Sequence, residues 1–208
     1  MMAVLGSPWV PGCDPAGPAE PSSSDQRRAK IVEPTPAAPL RRGTLIAGER
    51  VERIPQWPDH ASIDAATRAR LPAAARDQLG RSPVPVLVPG EGALLGEAAI
   101  FSQSTGYALS ARHGGRTVAI QASRLATLLP HIGHIPGTAE IRGTLGWLGN
   151  NDGIRTASWI EHGVAYSLDL ECYSPDGPEC SEAALRTAVE GLVYVGGAGE
   201  LQPRGGAR

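Results

Sequence analysis

The stretch His131-Ile132-Gly133-His134 is the first place to look for chemistry in this chain. Nucleotidyl-transferring enzymes place such a signature at a strand-to-helix turn, where its histidines stabilise the transferring phosphates. Here Pro130 precedes the stretch and Pro136-Gly137 follows it, so no helix can start where the signature needs one. The lysine-rich loop that completes such sites is also missing, because Lys30 is the only lysine. That residue lies in a Pro/Ser-rich stretch, which removes Schiff-base chemistry, a P-loop lysine and a lysine general base together. The same histidines are spaced to share a metal ion, but two imidazoles need a further ligand and a held geometry. His113 and His162 fall in hairpin turns and add nothing by spacing. The expectation is a plain loop, with no metal and no cofactor.

Other stretches have a bland reading as well. Asn150-Asn151-Asp152-Gly153 has the look of a calcium loop but lacks the terminal glutamate of the full pattern, and reads as a turn. Pro89-Gly90-Glu91-Gly92 and Gly196-Gly197-Ala198-Gly199 do not fit the spacing of a dinucleotide-binding loop. No Gly-x-Ser-x-Gly occurs, and no spacing singles out a catalytic triad. The chain reads as non-enzymatic. The alternatives are a hydrolase with dispersed catalytic residues and a purely structural surface protein.

Cysteine usage says more. Cys172 and Cys180 flank a segment containing Pro175-Asp176-Gly177, where proline presets φ and glycine takes φ > 0. A turn there folds the chain back and brings the two thiols together. A disulfide closing so short a loop contributes roughly 2–3 kcal/mol and implies an oxidising compartment. Cys13 follows Val10-Pro11-Gly12, as the lipidated cysteine of a bacterial lipoprotein follows small residues. The apolar stretch before it is interrupted by Ser7-Pro8 and has no basic start, so a lipoprotein signal would have to begin upstream of Met1. Cys13 is therefore either a lipid anchor or a cysteine without a role in a tail.

Composition sets the frame for these residues. The 208 residues carry 26 glycines, 19 prolines and a net charge of −2. Near-neutral charge argues against nucleic acid as a partner, and no apolar run is long enough for a transmembrane span. Residues 1–43 read as a disordered Pro/Ser-rich tether and 196–208 as a disordered Gly-rich tail. Between them, 44–195 reads as a single α+β domain.

Parity places its strands. A Gly114-Gly115 loop suits a type I′ turn and sets Ala111 opposite Val118, Leu109 opposite Ile120 and Tyr107 opposite Ala122. A turn at His162-Gly163 sets Trp159 opposite Tyr166 and Ala157 opposite Leu168. A preceding strand, 141–148, has Ile141, Leu145 and Trp147 in phase. To keep Trp147 on the face of Trp159, the loop Asn151-Asp152-Gly153 must hold three residues, with Gly153 at φ > 0. Residues 140–172 then form a three-stranded meander. Helices are expected after Ser62, from Pro72 to Gly80 and after Ser181, the last with the stripe Leu185, Ala188, Val189 and Leu192. Val84–Pro89 reads as an edge strand because of its prolines. The sum is a curved antiparallel sheet, a hairpin plus a meander, with a C-terminal helix packed on one face.

The run from Ser158 through Trp159, Glu161, Gly163 and Tyr166 to Leu168, followed by a short helix, resembles the closing unit of exported bacterial domains of unknown function. These occur in lipoproteins and in the extracytoplasmic sensor halves of anti-sigma factors. The resemblance covers about residues 140–195 and implies a secreted, periplasmic or membrane-anchored place in the bacterial envelope. It implies no signalling role, since this chain has neither a membrane span nor a zinc-bearing half. Tyr107, Trp147, Trp159 and Tyr166 are the candidate ligand-binding residues, lining an apolar groove inside the sheet. Its occupant would be an apolar ligand, a peptide or an envelope protein.

Overall fold

The computed structural model describes residues 48–128 and 135–201. All of them belong to the unit Leu45–Arg208. The tether 1–43, Cys13, His131, His134 and residues 202–208 lie outside the described residues.

In chain order, strand β1 (Glu49–Glu52) is followed by helices α1 (Ala65–Arg70) and α2 (Ala73–Leu79), β2 (Leu87–Pro89) and α3 (Gly92–Leu95). Next come β3 (Ala99–Gln103), β4 (Gly106–His113), β5 (Arg116–Ser123) and β6 (Leu125–Leu128). After these follow β7 (Ala139–Ile141), β8 (Thr144–Asn151), β9 (Ile154–Glu161), β10 (Val164–Cys172), α4 (Glu182–Glu190) and β11 (Leu192–Tyr194). The class is α+β. Among the described residues the main sheet is antiparallel and seven-stranded, in the order β3-β4-β5-β10-β9-β8-β7. Two-stranded ribbons pair β1 with β6 and β2 with β11.

The turns fix the registers. Gly114 and Gly115 take φ of 59° and 77°, and β4 pairs with β5 as parity predicts, with Leu109 opposite Ile120. His162 and Gly163 take 52° and 73°, and Trp159 stands opposite Tyr166. Strand β10 also pairs with β5, Tyr166 opposite Ala122, which fuses hairpin and meander into one sheet.

The third register differs from the expectation. Asp152 and Gly153 take φ of 48° and 84°, and Asn151 pairs with Ile154, so the loop has two residues and not three. Trp147 then stands opposite Ser158, and Leu148 opposite Ala157. Nor do Ile141 and Trp147 share a strand, because Arg142 and Gly143 form another tight turn at φ of 49° and 74°. The physical reason lies in Asp-Gly and in Gly146. Asp-Gly is a strong type I′ former whose twist matches the strands. Gly146, not Trp147, faces the core, because a Cβ there would lie 2.4 Å from the Ser158 carbonyl oxygen and 3.1 Å from Trp159 Cβ. Strand β8 can approach the Trp159 ring only with glycine at that position.

The segment Val84–Pro89 is not an edge of the main sheet either. Val84, Val86, Leu87 and Val88 are wholly buried, and β2 lies against β11 with Val88 opposite Val193. Buried backbone must find partners on both sides. On one side Val86 N donates to Gly196 O (2.8 Å) and Val195 N donates to Val86 O (3.0 Å). On the other, Tyr107 Oη accepts from Leu87 N (2.9 Å) and donates to Leu87 O (3.0 Å), while Tyr166 Oη donates to Pro85 O (2.9 Å). Pro85 has no N–H to satisfy, so the prolines suit a buried strand with few partners. The same pairing draws in the expected tail. Gly196 and Gly197 are buried, Ala198 N donates to Ser82 O (2.8 Å), and the Trp57 ring lies where a Cβ on Gly197 or Gly199 would go. The domain therefore runs past 195.

Helix α1 is capped by Asp64 rather than Ser62, with Thr67 N donating to Asp64 Oδ1 (2.9 Å). Helix α2 follows Pro72 and buries Ala75 and Leu79, as predicted. Its Gln78 lies along the free edge of β3, where Gln78 Oε1 accepts from Ser102 N (3.3 Å) and Gln78 O accepts from Ser102 Oγ (2.8 Å). Helix α4 starts on its predicted cap, Ala184 N donating to Ser181 Oγ (3.1 Å), and buries Leu185 and Val189. Leu192 leaves the helix for β11. Cys172 and Cys180 are joined in a disulfide, Cα atoms 5.9 Å apart, which ties the end of β10 to the start of α4.

Removing one hydroxyl at a time tests the suspension of Val84–Val88. Tyr107→Phe strands both polar groups of Leu87 and should cost about 2–3 kcal/mol, against about 1 kcal/mol for Tyr166→Phe. At roughly 2–4 °C per kcal/mol for a domain of this size, thermal melts separate the two. Equal melting temperatures would show that the strand does not hang on Tyr107.

Candidate functional site

Side chains alternate across a sheet, and here the two faces differ in kind. The inner face holds Tyr107, Trp159 and Tyr166, three of the four aromatic residues expected to form a groove. The structure brings them together as core. Trp159 and Tyr166 stack at 5.5 Å with planes 18° apart. Burial pushes the Tyr107 and Tyr166 hydroxyls up from their ordinary pKa, so both stay neutral donors to the strand beneath. Trp147 is not among them; the two-residue turn sends it to the outer face.

Trp147 ends a row that crosses six strands. Phe101 stands opposite Ala108, Ala108 opposite Gln121, Gln121 opposite Ser167, Ser167 opposite Ser158, and Ser158 opposite Trp147. At ordinary strand spacing the two aromatic ends are roughly 24 Å apart. Phe101 is 63% exposed and Trp147 37%, so both rings present surface to solvent. Between them the floor is small and uncharged. The next row continues it with Gln103, Gly106, Ser123, Ala165 and Ile160. A depression of about 440 Å³ lies across these rows from Gln103 to Trp147, and Tyr107, Trp159 and Tyr166 also border it although their side chains are buried. The row on the other side contains one carboxylate, Asp169, whose Oδ1 accepts from Thr156 Oγ1 (2.7 Å). Such a surface offers rings for stacking and hydroxyl and amide groups for hydrogen bonding, with Asp169 the one charge in these three rows.

A polar cluster unforeseen in the sequence closes one end of the inner face. Arg142 Nε donates to Glu161 Oε2 (2.9 Å), and the Trp159 indole N–H donates to the same oxygen (3.0 Å). Arg142 Nη1 donates to the carbonyls of Leu192 (3.0 Å) and Val189 (3.3 Å). A cation there satisfies the open carbonyls and the dipole at the C-terminus of α4. The Arg142 guanidinium also lies 5.7 Å from the Tyr194 ring centre, and the His162 ring meets Tyr194 edge-on at 5.5 Å. The Tyr194 hydroxyl is buried against Glu161 without a well-formed hydrogen bond. Burial alone would raise the Glu161 carboxyl, but hydrogen bonds from Arg142 and Trp159 outweigh it and hold the pKa below its ordinary value. These contacts bind β7, β9 and α4 together, which is a structural role. A signal for it exists in the chain: Arg142-Gly143, Asp152-Gly153 and His162-Gly163 are evenly spaced, and each is a residue followed by glycine between strands.

With the geometry in hand, comparison with known proteins adds nothing: no family model matches the chain, and neither a curated protein nor a solved structure matches it. Function has to be argued from the chain's own residues. Among the described residues, no group of three or more His, Cys, Asp and Glu side chains is placed to hold a metal ion. His113 and His162 sit at hairpin turns, as their spacing predicts.

The Glu161–Arg142 pair carries a pH signature. The ordinary carboxyl value is 4.5 and the folded value lies below it. The stabilisation is therefore complete above about pH 4.5 and is lost as pH falls through the folded pKa. Glu161→Gln leaves a buried cation unpaired and should cost on the order of 3 kcal/mol at pH 7. The variant should also lose less stability than the wild type between pH 5 and 3. Urea unfolding at the three pH values checks both, and parallel stability–pH curves would show that Glu161 is not a source of the acid limb.

Proposed function

We propose that this protein is an exported, non-enzymatic binding module whose outer sheet face takes a neutral polyhydroxylated chain, a glycan strand. One observation carries the reading: the row from Phe101 to Trp147, a face left open among the described residues, with an aromatic ring at each end and Ala, Gln and Ser between. A sugar ring stacks its C–H face on an indole or phenyl ring, as apolar surfaces of matched shape do. Its hydroxyls find Gln121, Ser158 and Ser167 beneath. An anionic polymer has no cation in that row, and a net charge of −2 draws none in.

Two things support export. The Cys172–Cys180 disulfide suits an oxidising compartment. Residues 140–195 resemble exported bacterial domains. Among the described residues no helix is long and apolar enough to cross a membrane; the candidate for a lipid anchor in this proposal is Cys13.

The glycan reading is tested by titrating the full chain with a panel of neutral oligosaccharides while monitoring tryptophan fluorescence and calorimetric heat. Binding should perturb Trp147 and leave buried Trp159 unchanged. Trp147→Ala should weaken it roughly tenfold, the loss expected of one stacked ring, with an unchanged melting temperature. Binding that survives Trp147→Ala intact, or a panel without a binder, overturns the assignment. The compartment is tested separately. Alkylation and mass spectrometry of protein taken from cells without reductant should find Cys172 and Cys180 linked, and free thiols at both would refute export.

A further inference from the structure

On the opposite side of the sheet, α4 leaves a gap. A cavity of about 300 Å³ lies between α3, α4 and β5, floored by Leu94 and Val118 and walled by Ala184 and Ala188. It exists because of how the α4 stripe is written. Leu185 and Val189 turn into the core, while the α4 positions that face the gap are Ala184, Thr187 and Ala188, too short to fill it. The lining is mostly apolar: Thr187 donates its hydroxyl to the Ala183 carbonyl of its own helix, and at the mouth Arg116 and Glu91 form an ion pair. The two partners are held unequally. The Arg116 side chain is 22% exposed and fixed on a strand next to the disulfide-bonded Cys172, whereas Glu91 is 53% exposed on a loop. An ion pair so exposed on one side is worth little, so another carboxylate can take the place of Glu91 at small cost.

We propose that this cavity is a second binding site, for a medium-chain aliphatic carboxylate. The ligand's carboxylate replaces that of Glu91 on the Arg116 guanidinium, and its chain enters the gap between Leu94, Val118 and Ala188. The charge at the mouth selects an anionic head, since a guanidinium pairs with a carboxylate through parallel hydrogen bonds. The apolar walls select the chain. The volume sits at the lower end of small-molecule pockets, which fits a short chain and excludes a two-tailed lipid. Glu91 acts as an internal competitor that keeps the cation paired when the cavity has no guest. The Cys172–Cys180 link holds the start of α4 against the sheet, so the wall carrying Ala184 is fixed before the ligand arrives.

The test is calorimetric titration of the full chain with decanoate below its micelle concentration, with decanol as the uncharged control. Decanoate should bind the wild type, and decanol should bind at least tenfold more weakly. Glu91→Gln removes the competitor and should tighten decanoate binding several-fold, most clearly at low salt. Ala188→Leu fills the gap and should abolish binding without lowering the melting temperature. Arg116→Gln should bring decanoate down to the level of decanol. If Arg116→Gln fails to fold, the Glu91→Gln and Ala188→Leu pair still decides, because neither touches a buried polar group. Equal or weaker binding in Glu91→Gln overturns the proposal, as does undiminished binding in Ala188→Leu. Trp147→Ala lies on the other face and should leave decanoate binding unchanged, so this site and the glycan face stand or fall independently.

Discussion

The fold depends on burying an extended piece of backbone. Val84–Val88 runs through the interior without a place in the main sheet, and every polar group it brings in has to be met there. Strand β11 and Gly196 meet one side, and two tyrosine hydroxyls reaching down from the sheet meet the other. This requirement accounts for features that look unrelated. It explains why Tyr107 and Tyr166 are tyrosine and not phenylalanine. It explains how two prolines fit inside a core strand, and why the chain beyond 195 folds back against Ser82 and Trp57. Helix α3 packs against β2 itself, and α2 against the edge strand β3.

Much of the sheet was legible because it is local. Gly114-Gly115 and His162-Gly163 each specify a turn, the turn specifies a register, and the alternation of Leu109, Ala111, Val118 and Ile120 agrees with it. The helix after Ser181 was legible from its cap and stripe. Trp147 misled the reading because parity was argued from the assumption that a large aromatic belongs inside. The turn chemistry of Asp152-Gly153 was the stronger constraint, and Gly146 was the residue making room for Trp159. What could not be read is what joins distant parts of the chain. The pairing of β10 with β5, the partnership of Arg142 with Glu161, and the tyrosine bonds to Leu87 and Pro85 leave no local periodicity.

Of the candidate site, the sequence held the residues but not their sides. Three of the four aromatics expected to line a groove are the floor of the core, and the fourth stands alone on the surface. The open row of small side chains was invisible for a related reason. Ala108, Gln121, Ser158 and Ser167 are unremarkable one by one, and only the pairing of six strands sets them in line.

Gln78 gives that open face a particular character. The two edges of the main sheet differ: along β3, Gln78 takes the outward-pointing N–H of Ser102, whereas the three residues of β7 cover only Thr144–Gly146 of β8. Unprotected edges let foreign strands add to a sheet through backbone hydrogen bonds, the route to polymerisation and to β-augmentation. Here a visitor can lie across the strands, and joining them along β3 means displacing Gln78. Recognition across the row runs through side chains, which makes it dependent on what stands at Trp147 and Gln121. Crowded copies of such a chain can thus present a broad sheet while the β3 edge resists knitting into fibres.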